Sequence, residues 1–353
     1  MKKFTKMWAI AACALFAGTA AVNAEDYTWK FVTAGDATTY AIRSDGSLWS
    51  WGWNEKGQGG NGVSERTATP TLADGNRVWK KAVGGKAYGF FLAEDGSLWA
   101  AGTHEGGVQG TNDGIDHKVL TRIGTDNDWA DMACSRFWGY SGFAIKTNGT
   151  LWAWGKNSAG QLGIGNTQAQ TAPVQVGADM DWKQVAAGCS SVLALKTDGS
   201  LWGWGFNMYS ELFGHEGKQL SPVRLGSETD WEQVVVIDFR AYAVKKDGTL
   251  WAWGDNANNL LGFNTPTEEE TTAEGNPVEV VTVPQITAPT HVTSIEGKVL
   301  TISGCENTLS VATGTDGVIE KVWMLGSNTD GALGDGKGLG NGNKDIPFAK
   351  VPV

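Results

Sequence analysis

The sequence predicts an all-β protein built from six tandem repeats of about fifty residues. The first observation is a pentapeptide, Asp-Gly-Ser/Thr-Leu-Trp, that returns at nearly constant spacing. The second is the composition, because 49 glycines and 18 tryptophans occur among 353 residues beside many β-branched residues. The third is that helical hydrophobic periodicity is absent after residue 24. Together these features predict many short strands joined by tight turns.

The pentapeptide fixes the boundaries of the repeats. Its five clear copies begin at Asp45, Asp95, Asn148, Asp198 and Asp247, and a degenerate sixth has Asp316-Gly317 before Trp323. We therefore predict six units with the bounds 29–78, 79–128, 129–181, 182–230, 231–290 and 291–353. The stretch 264–289, with its acidic run at Glu268, interrupts this spacing, so a seventh, eroded unit is the alternative.

The pattern within each unit predicts three or four short antiparallel strands. In the fourth repeat these begin at Trp182, follow as 192–196 and 201–205, and close at 222–225. The Asp-Gly pair between the second and third strands predicts a type I′ turn, in which both residues have positive φ.

The third strand, Leu-Trp-x-Trp-Gly, carries apolar residues on both faces. Such a unit buries both faces only by stacking on neighbours, and a closed ring removes free sheet edges. The sequence therefore predicts a single β-propeller over residues 25–353, with six blades and the repeating tryptophans in its core. The repeating pairs are Trp49 and Trp51, Trp152 and Trp154, Trp202 and Trp204, and Trp251 and Trp253, with Trp99 alone in the second repeat.

The repeat resembles a known family. Residues 154–163 of the third repeat read Trp-Gly-Lys-Asn-Ser-Ala-Gly-Gln-Leu-Gly, after an Asn-Gly-Thr-Leu-Trp copy of the pentapeptide. This pattern is similar to the regulator of chromosome condensation repeat. The resemblance implies a β-propeller that binds other proteins through one face of the ring and through its loops. The family's founding members have seven blades, whereas six units are counted here.

A histidine that the family often places before the second strand is missing from all six repeats. In our alignment that position holds Thr38, Tyr88, Ser141, Ser191, Arg240 and Asn307. No role of that histidine is therefore carried over to this chain.

The N-terminus predicts a signal peptide over residues 1–24. Three lysines precede an apolar stretch from Trp8 to Ala21, and Val22-Asn23-Ala24 has the small-residue pattern of a cleavage site. The apolar stretch is too short for a membrane span. Lipid attachment at Cys13 is disfavoured, because a second apolar stretch would remain after it. We expect a bacterial protein exported to the periplasm or outside the cell.

Charge and residue types exclude several functions. With 28 basic and 38 acidic side chains the formal net charge is −10, which disfavours binding to nucleic acid. The four histidines, at 104, 117, 215 and 291, occur singly, which indicates no metal centre or catalytic triad. We expect no cofactor, no metal and no catalytic residues, and a monomer; a hydrolase or lyase is the least favoured function.

Three cysteines follow residue 24. Cys134 and Cys189 lie near the turn after the first strand in consecutive repeats, where a disulfide could form in an oxidising compartment. The alternative is that Cys134, Cys189 and Cys305 are small buried thiols.

Aromatic residues that do not repeat are the candidate binding residues. Phe137, Trp138 and Tyr140 lie in an insertion that only the third repeat has, and loops that vary on a rigid frame often carry function. We add Tyr88 and Arg240 as contacts around the channel. Tyr209 and Phe239 are further non-repeating aromatics. The chain is thus predicted to be a protein-binding scaffold. The alternative is a lectin-like module of the cell envelope that binds glycans.

Overall fold

The computed structural model describes residues 28–136, 139–257, 260–261, 263, 285–305 and 308–326. Within this part of the chain six antiparallel sheets follow one another, five with four strands and the last with three. Each sheet corresponds to one repeat, so the prediction of an all-β protein with six blades is confirmed. The predicted signal peptide lies outside the described residues, and none of the described helices is long and apolar enough to cross a membrane.

The chain divides into two compact units. The first comprises residues 1–156 and 168–180, and the second comprises residues 157–167 and 181–353. The first unit contains three blades. Blade 1 has β1 (Trp29–Ala34), β2 (Thr38–Arg43), β3 (Leu48–Gly52) and β4 (Thr67–Asp74). Blade 2 has β5 (Trp79–Gly84), β6 (Tyr88–Ala93), β7 (Leu98–Gly102) and β8 (His117–Arg122), and blade 3 has β9 (Trp129–Cys134), β10 (Ser141–Lys146), β11 (Leu151–Gly155) and β12 (Gln170–Gln175). A short 3-10 helix, Glu105–Gly107, follows β7.

The second unit contains the other three blades. Blade 4 has β13 (Trp182–Ala187), β14 (Ser191–Lys196), β15 (Leu201–Asn207) and β16 (Gly217–Arg224); blade 5 has β17 (Trp231–Ile237), β18 (Arg240–Lys245), β19 (Leu250–Asp255) and β20 (Gln285–His291); blade 6 has β21 (Val299–Cys305), β22 (Thr308–Thr315) and β23 (Val318–Gly326). In every blade the strands are hydrogen-bonded in chain order.

The first strand of each blade has a register shift after its opening residue. In blade 4 the shift lies between Trp182 and Gln184, and in blade 5 between Trp231 and Gln233. An extra residue at this point bends the strand and redirects the side chains that follow it.

The predicted type I′ turn is wrong for five blades and correct for the sixth. In blade 6 Asp316 and Gly317 both have positive φ, 51° and 79°. In blade 4 only Gly199 does, at 86°, and its N–H donates to Lys196 O at 3.0 Å. The reason is that the Asp198 carboxylate accepts the Ser200 N–H at 2.8 Å, which holds the aspartate in a local side-chain turn.

The repeating tryptophans differ in burial. Trp154, Trp204 and Trp253, the second of each pair, are fully buried, as predicted for core residues. The first of each pair and Trp51 are half-buried, because they lie beside the turns at the edge of the blade. The core of each unit therefore consists of the second tryptophans, the tryptophans that open β5, β9, β13 and β17, and aliphatic residues of the inner strands.

Candidate functional site

The loop between the third and fourth strands is held by an asparagine. In blade 3 the buried Asn157 accepts the Leu162 N–H at 2.9 Å through its Oδ1 atom. In blade 4 the Oδ1 atom of Asn207 accepts the Leu212 N–H at 3.0 Å. In blade 1 the Oδ1 atom of Asn54 accepts the Gly59 N–H at 2.7 Å. A side chain that satisfies a buried backbone donor fixes the loop in one conformation.

The loops after the third strands of blades 2, 3 and 4 are also tied to the following blade by a tryptophan. The indole Nε1 of Trp154 donates to Val108 O at 2.7 Å, across from blade 3 to blade 2. Trp204 donates to Gln161 O at 2.8 Å, and Trp253 donates to Glu211 O at 2.8 Å. The loops therefore form a rigid frame for side chains that do not repeat.

Tyr88 and Tyr140 lie together in the first unit. Their ring centroids are 5.9 Å apart, and the Tyr88 hydroxyl donates to Ser135 O at 2.5 Å. Tyr88 is 1% exposed and Tyr140 is 7% exposed, so both rings are packed rather than presented to solvent. Burial, followed by the charge of Glu105, raises the pKa of Tyr140.

The backbone of Tyr140 is unusual, with φ at +45°, a region that non-glycine residues seldom adopt. The neighbouring candidates Phe137 and Trp138 lie outside the described residues. The structure therefore brings Tyr88 and Tyr140 together at the insertion, and the contact role of this set stays a prediction.

Arg240 is at the start of β18 in the second unit and is 4% exposed. Its guanidinium lies 3.6 Å from the carboxylate of Asp238. Asp238 has φ at +54°, and its Oδ1 atom lies 3.5 Å from the Cys189 Sγ. Arg240 is thus fixed at the turn between the first two strands of blade 5, as a buried ion pair that needs its partner.

A second aromatic cluster lies on blades 4 and 5. The rings of Tyr209 and Phe239 pack with their centroids 5.1 Å apart, and Met208 beside them is 48% exposed. Ser210 has φ at +65° and accepts the Gln285 amide at 2.6 Å. Met208 was not singled out from the sequence, because nothing in the repeat marks a methionine that interrupts the loop.

Glu211 is a buried carboxyl that the sequence analysis also missed. It occupies the place of Gln161 in the Gly-Gln-Leu-Gly pattern, which was the signal that could have found it. It is 0% exposed, and burial raises its pKa to about 7.

The cysteines and histidines give no metal centre in the described ranges. Cys134 and Cys189 are both buried thiols there, one in each unit, and the disulfide between them stays a prediction. His104 pairs with Asp116 at 2.6 Å and His117 with Asp113 at 2.7 Å. No group of three His, Cys, Asp or Glu side chains that could hold an ion occurs among the described residues.

Comparison with known proteins identifies the repeat. A family model of the regulator of chromosome condensation (RCC1) repeat matches residues 45–92 and 148–195, and a second model of this repeat matches residues 29–58. The ultraviolet-B receptor UVR8 of Arabidopsis thaliana is 30% identical over 163 residues, which cover 45% of this chain and 37% of the receptor. The human protein RCC2 is 27% identical over 150 residues, which cover 42% of this chain and 19% of RCC2. The chain therefore matches well under half of either relative.

Solved structures show the same fold. Human WBSCR16 superposes with a TM-score of 0.73 at 17% identity, over 88% of this chain and 79% of that protein. Prp20p from Saccharomyces cerevisiae, whose structure was reported with its binding properties to Gsp1p and histones, superposes with a TM-score of 0.69 at 18% identity, over 87% of this chain and 73% of Prp20p. The chain therefore contains regulator of chromosome condensation repeats, at residues 29–92 and 148–195, and has the β-propeller fold with six blades.

Proposed function

We propose that this protein is an exported, non-catalytic scaffold that binds another protein through the loops between its strands. The observation that carries the proposal is the position of Tyr140, Ser210 and Asp238. These non-glycine residues have positive φ and lie beside aromatic side chains that do not repeat from blade to blade. Strained backbone of this kind persists where the surroundings fix it, and it is frequent at binding sites.

A rigid frame under the loop that carries Ser210 supports a binding role. The asparagine and tryptophan hydrogen bonds hold the loops between the third and fourth strands before any partner arrives. A surface that is already ordered loses less conformational entropy on association, so more of its contact energy contributes to affinity.

The relatives agree with this class of function. Prp20p is described by its binding to Gsp1p and histones, and a second structure contains Kap60 bound to yeast RCC1 (Prp20). At 18% identity these structures support a protein-binding role without naming the partner of this chain.

Burial divides the predicted contacts into two groups. Tyr88 and Arg240 have almost no exposed surface, so the proposal gives them the role of holding the loops. Direct contact is assigned to Phe137 and Trp138, and Tyr140, which is 7% exposed and packs on Tyr88, holds the insertion in place. Aromatic residues that combine apolar area with few rotatable bonds are frequent hot spots in interfaces.

Export is part of the proposal and rests on the first 24 residues. A basic head, an apolar stretch and a small-residue site follow one another there in the order of a secretory leader. An acidic mature chain and the scarcity of cysteine are compatible with the periplasm or the medium.

Capture and affinity measurements test the binding role. The chain from Glu25 is used as bait on envelope and medium fractions, and a captured protein is purified and titrated by calorimetry. The double variant Trp138→Ala and Tyr140→Ala is expected to weaken binding at least tenfold, because interface aromatics contribute on the order of 2 kcal/mol each.

The matched control is Val119→Ala on β8, where the side chain is 56% exposed at a distance from the insertion in sequence. Its affinity should equal that of the wild type. Because Tyr140 is largely buried, the unfolding midpoint of every variant is measured as well. Unchanged affinity of the double variant would refute the placement of the binding site at this insertion. A glycan-array signal without a captured protein would favour a glycan-binding function over the protein-binding scaffold.

A further inference from the structure

The blade 4 loop has a carboxyl where two other blades have a carboxamide. Gln58 and Gln161 each accept a backbone N–H from two residues before them, that of Lys56 at 3.1 Å and that of Ala159 at 2.9 Å. Glu211 makes the same contact, since its Oε2 atom accepts the Tyr209 N–H at 2.8 Å. The glutamate therefore occupies the glutamine position with the same geometry.

The second oxygen of Glu211 is where the chemistry differs. Its Oε1 atom lies 3.3 Å from the Ser191 hydroxyl, at the position that the amide nitrogen of a glutamine would occupy. Ser191 and Glu211 are both fully buried. A hydroxyl can donate to an ionised carboxylate or accept from a protonated one, so the Ser191 contact by itself selects neither protonation state and the burial of the carboxyl decides between them.

In the part of the chain that the structure describes, the contacts of the Glu211 carboxyl include no charged side chain that would compensate for its ionisation. From β14 it meets the neutral Ser191, and from its own loop it meets the backbone N–H groups of Met208 and Tyr209. From β19 the neutral indole of Trp253 donates a hydrogen bond to the backbone carbonyl of Glu211. Burial is the main cause that raises the pKa of this carboxyl to about 7, against an ordinary value of 4.5.

The same loop carries Tyr209 of the half-buried aromatic cluster of blades 4 and 5, beside the exposed Met208. Glu211 is anchored to β14 through Ser191 and to β19 through Trp253, and the residues directly before it are Met208, Tyr209 and Ser210. Ionisation of the buried carboxyl favours exposure of this segment to water, because a buried charge without a charged partner is costly. The ties that oppose opening are the Asn207 hydrogen bonds to Leu212 and His215, the Trp253 bond to the Glu211 carbonyl and the Gln285 bond to Ser210.

We propose that Glu211 is a pH-dependent latch, which in its protonated form keeps the loop 206–215 closed and on ionisation lets it open, together with Tyr209 and its contact to Phe239. This goes beyond the proposed binding function, because opening of the loop is a property of the chain alone.

The direction of the effect follows from proton linkage. A carboxyl that holds its proton more tightly in the closed loop than in the open one stabilises closure fully at low pH. That stabilisation is lost as the pH rises from about 4.5 through about 7. Between pH 5 and pH 8 the opening equilibrium constant is expected to rise by roughly fiftyfold from this group alone.

Hydrogen exchange of the full chain tests the latch. Exchange of the segment 206–215 is followed by mass spectrometry from pH 5 to pH 8 in the wild type and in Glu211→Gln, compared at the same pH so that the intrinsic rate cancels. The ratio of wild-type to variant exchange rates should rise by tens of fold across this range. Glu216→Gln, an exposed carboxyl of the same loop, should follow the wild type.

A converse variant tests the idea without weakening blade 4. Gln161→Glu places a carboxyl in the equivalent loop of blade 3, where the fully buried Asn157 provides the same anchor to Leu162. The hydrogen-exchange rate of the segment 156–165, relative to the wild type, should then rise with pH as that of the segment 206–215 does. A flat rate ratio for Glu211→Gln, or a blade 3 loop that stays indifferent to pH, would overturn the latch. Neither result involves a binding partner, so the scaffold proposal is tested separately.

Discussion

The aspartate and the serine of the repeated pentapeptide anchor a tryptophan. In blade 4 the Asp198 carboxylate accepts the Ser200 N–H at 2.8 Å and the Ser200 hydroxyl at 2.6 Å. The Ser200 oxygen in turn accepts the Trp202 indole N–H at 2.9 Å. The three side chains lie at alternate positions, so they share one side of the chain, which explains why the spacing recurs. In blade 3 the same series of side-chain hydrogen bonds runs through Asn148, Thr150 and Trp152. We call this series, from the aspartate or asparagine through the hydroxyl to the indole, the relay.

Removing the middle of this relay gives a prediction at the residue scale. Ser200→Ala should lower the free energy of unfolding by about 1 kcal/mol, because Asp198 and Trp202 both lose a hydrogen-bond partner. Asp198→Asn is the matched control and should be nearly neutral at pH 7, since asparagine performs this role in blade 3. Urea unfolding measures both, and a Ser200→Ala midpoint equal to that of the wild type would show that the relay adds nothing.

The relay also has a pH dependence of known sign. The Ser200 hydroxyl, and then the Ser200 N–H, lower the pKa of Asp198. A carboxyl with a lowered pKa stabilises the fold above its unfolded-state pKa, and this contribution is lost as the pH falls through the folded value. Asp198→Asn should therefore flatten the acid limb of the stability profile.

Among the strands, the first of blade 4 and the first of blade 5 are each hydrogen-bonded to the next blade through a glutamine, and we call this contact a clamp. The amide of Gln184 on β13 donates to Val234 O at 3.0 Å and accepts the Val234 N–H at 3.0 Å. On β17 the amide of Gln233 donates to Leu300 O at 2.7 Å. The register shift after the opening tryptophan turns these side chains toward the neighbouring sheet.

Loss of one clamp is the prediction at the element scale. Gln184→Leu should destabilise the chain by about 2 kcal/mol, because both polar groups of the Val234 backbone lose their partner. The neighbour Lys183 carries an exposed ion pair to Glu232, so Lys183→Ala should cost no more than about 0.5 kcal/mol. Calorimetric melting of the two variants distinguishes them, and equal melting temperatures would contradict the clamp.

The strands were predictable because the apolar pattern and the pentapeptide recur in every unit. The turns were not, because the Asp198 side chain and not the Asp-Gly dipeptide decides the conformation. Burial of Tyr88 and Arg240 was equally hidden, since it depends on contacts with Ser135 and Asp238 that spacing does not show. Glu211 could have been found by aligning the repeats position by position.

For the whole molecule, the proposed signal peptide over residues 1–24 gives a prediction about processing. Expressed in a bacterium, the chain should be recovered outside the cytoplasm with Glu25 as its first residue, as measured by intact mass. Ala24→Lys should block cleavage, because the peptidase requires a small residue there, and the uncleaved form should stay with the membrane fraction. Ala21→Ser, which keeps a small side chain, is the control. Cytoplasmic recovery of an uncut wild-type chain would contradict export.

In blades 4 and 5 two ties reach to neighbouring blades in opposite directions along the chain. The second tryptophan reaches back to the preceding loop, and the glutamine of the first strand reaches forward to the following blade. Each of these two repeats thus carries one half of two different joints. A duplicated repeat would find both complements already in place. Growth or loss of blades by gene duplication therefore requires no new interface, only a copy of an old one.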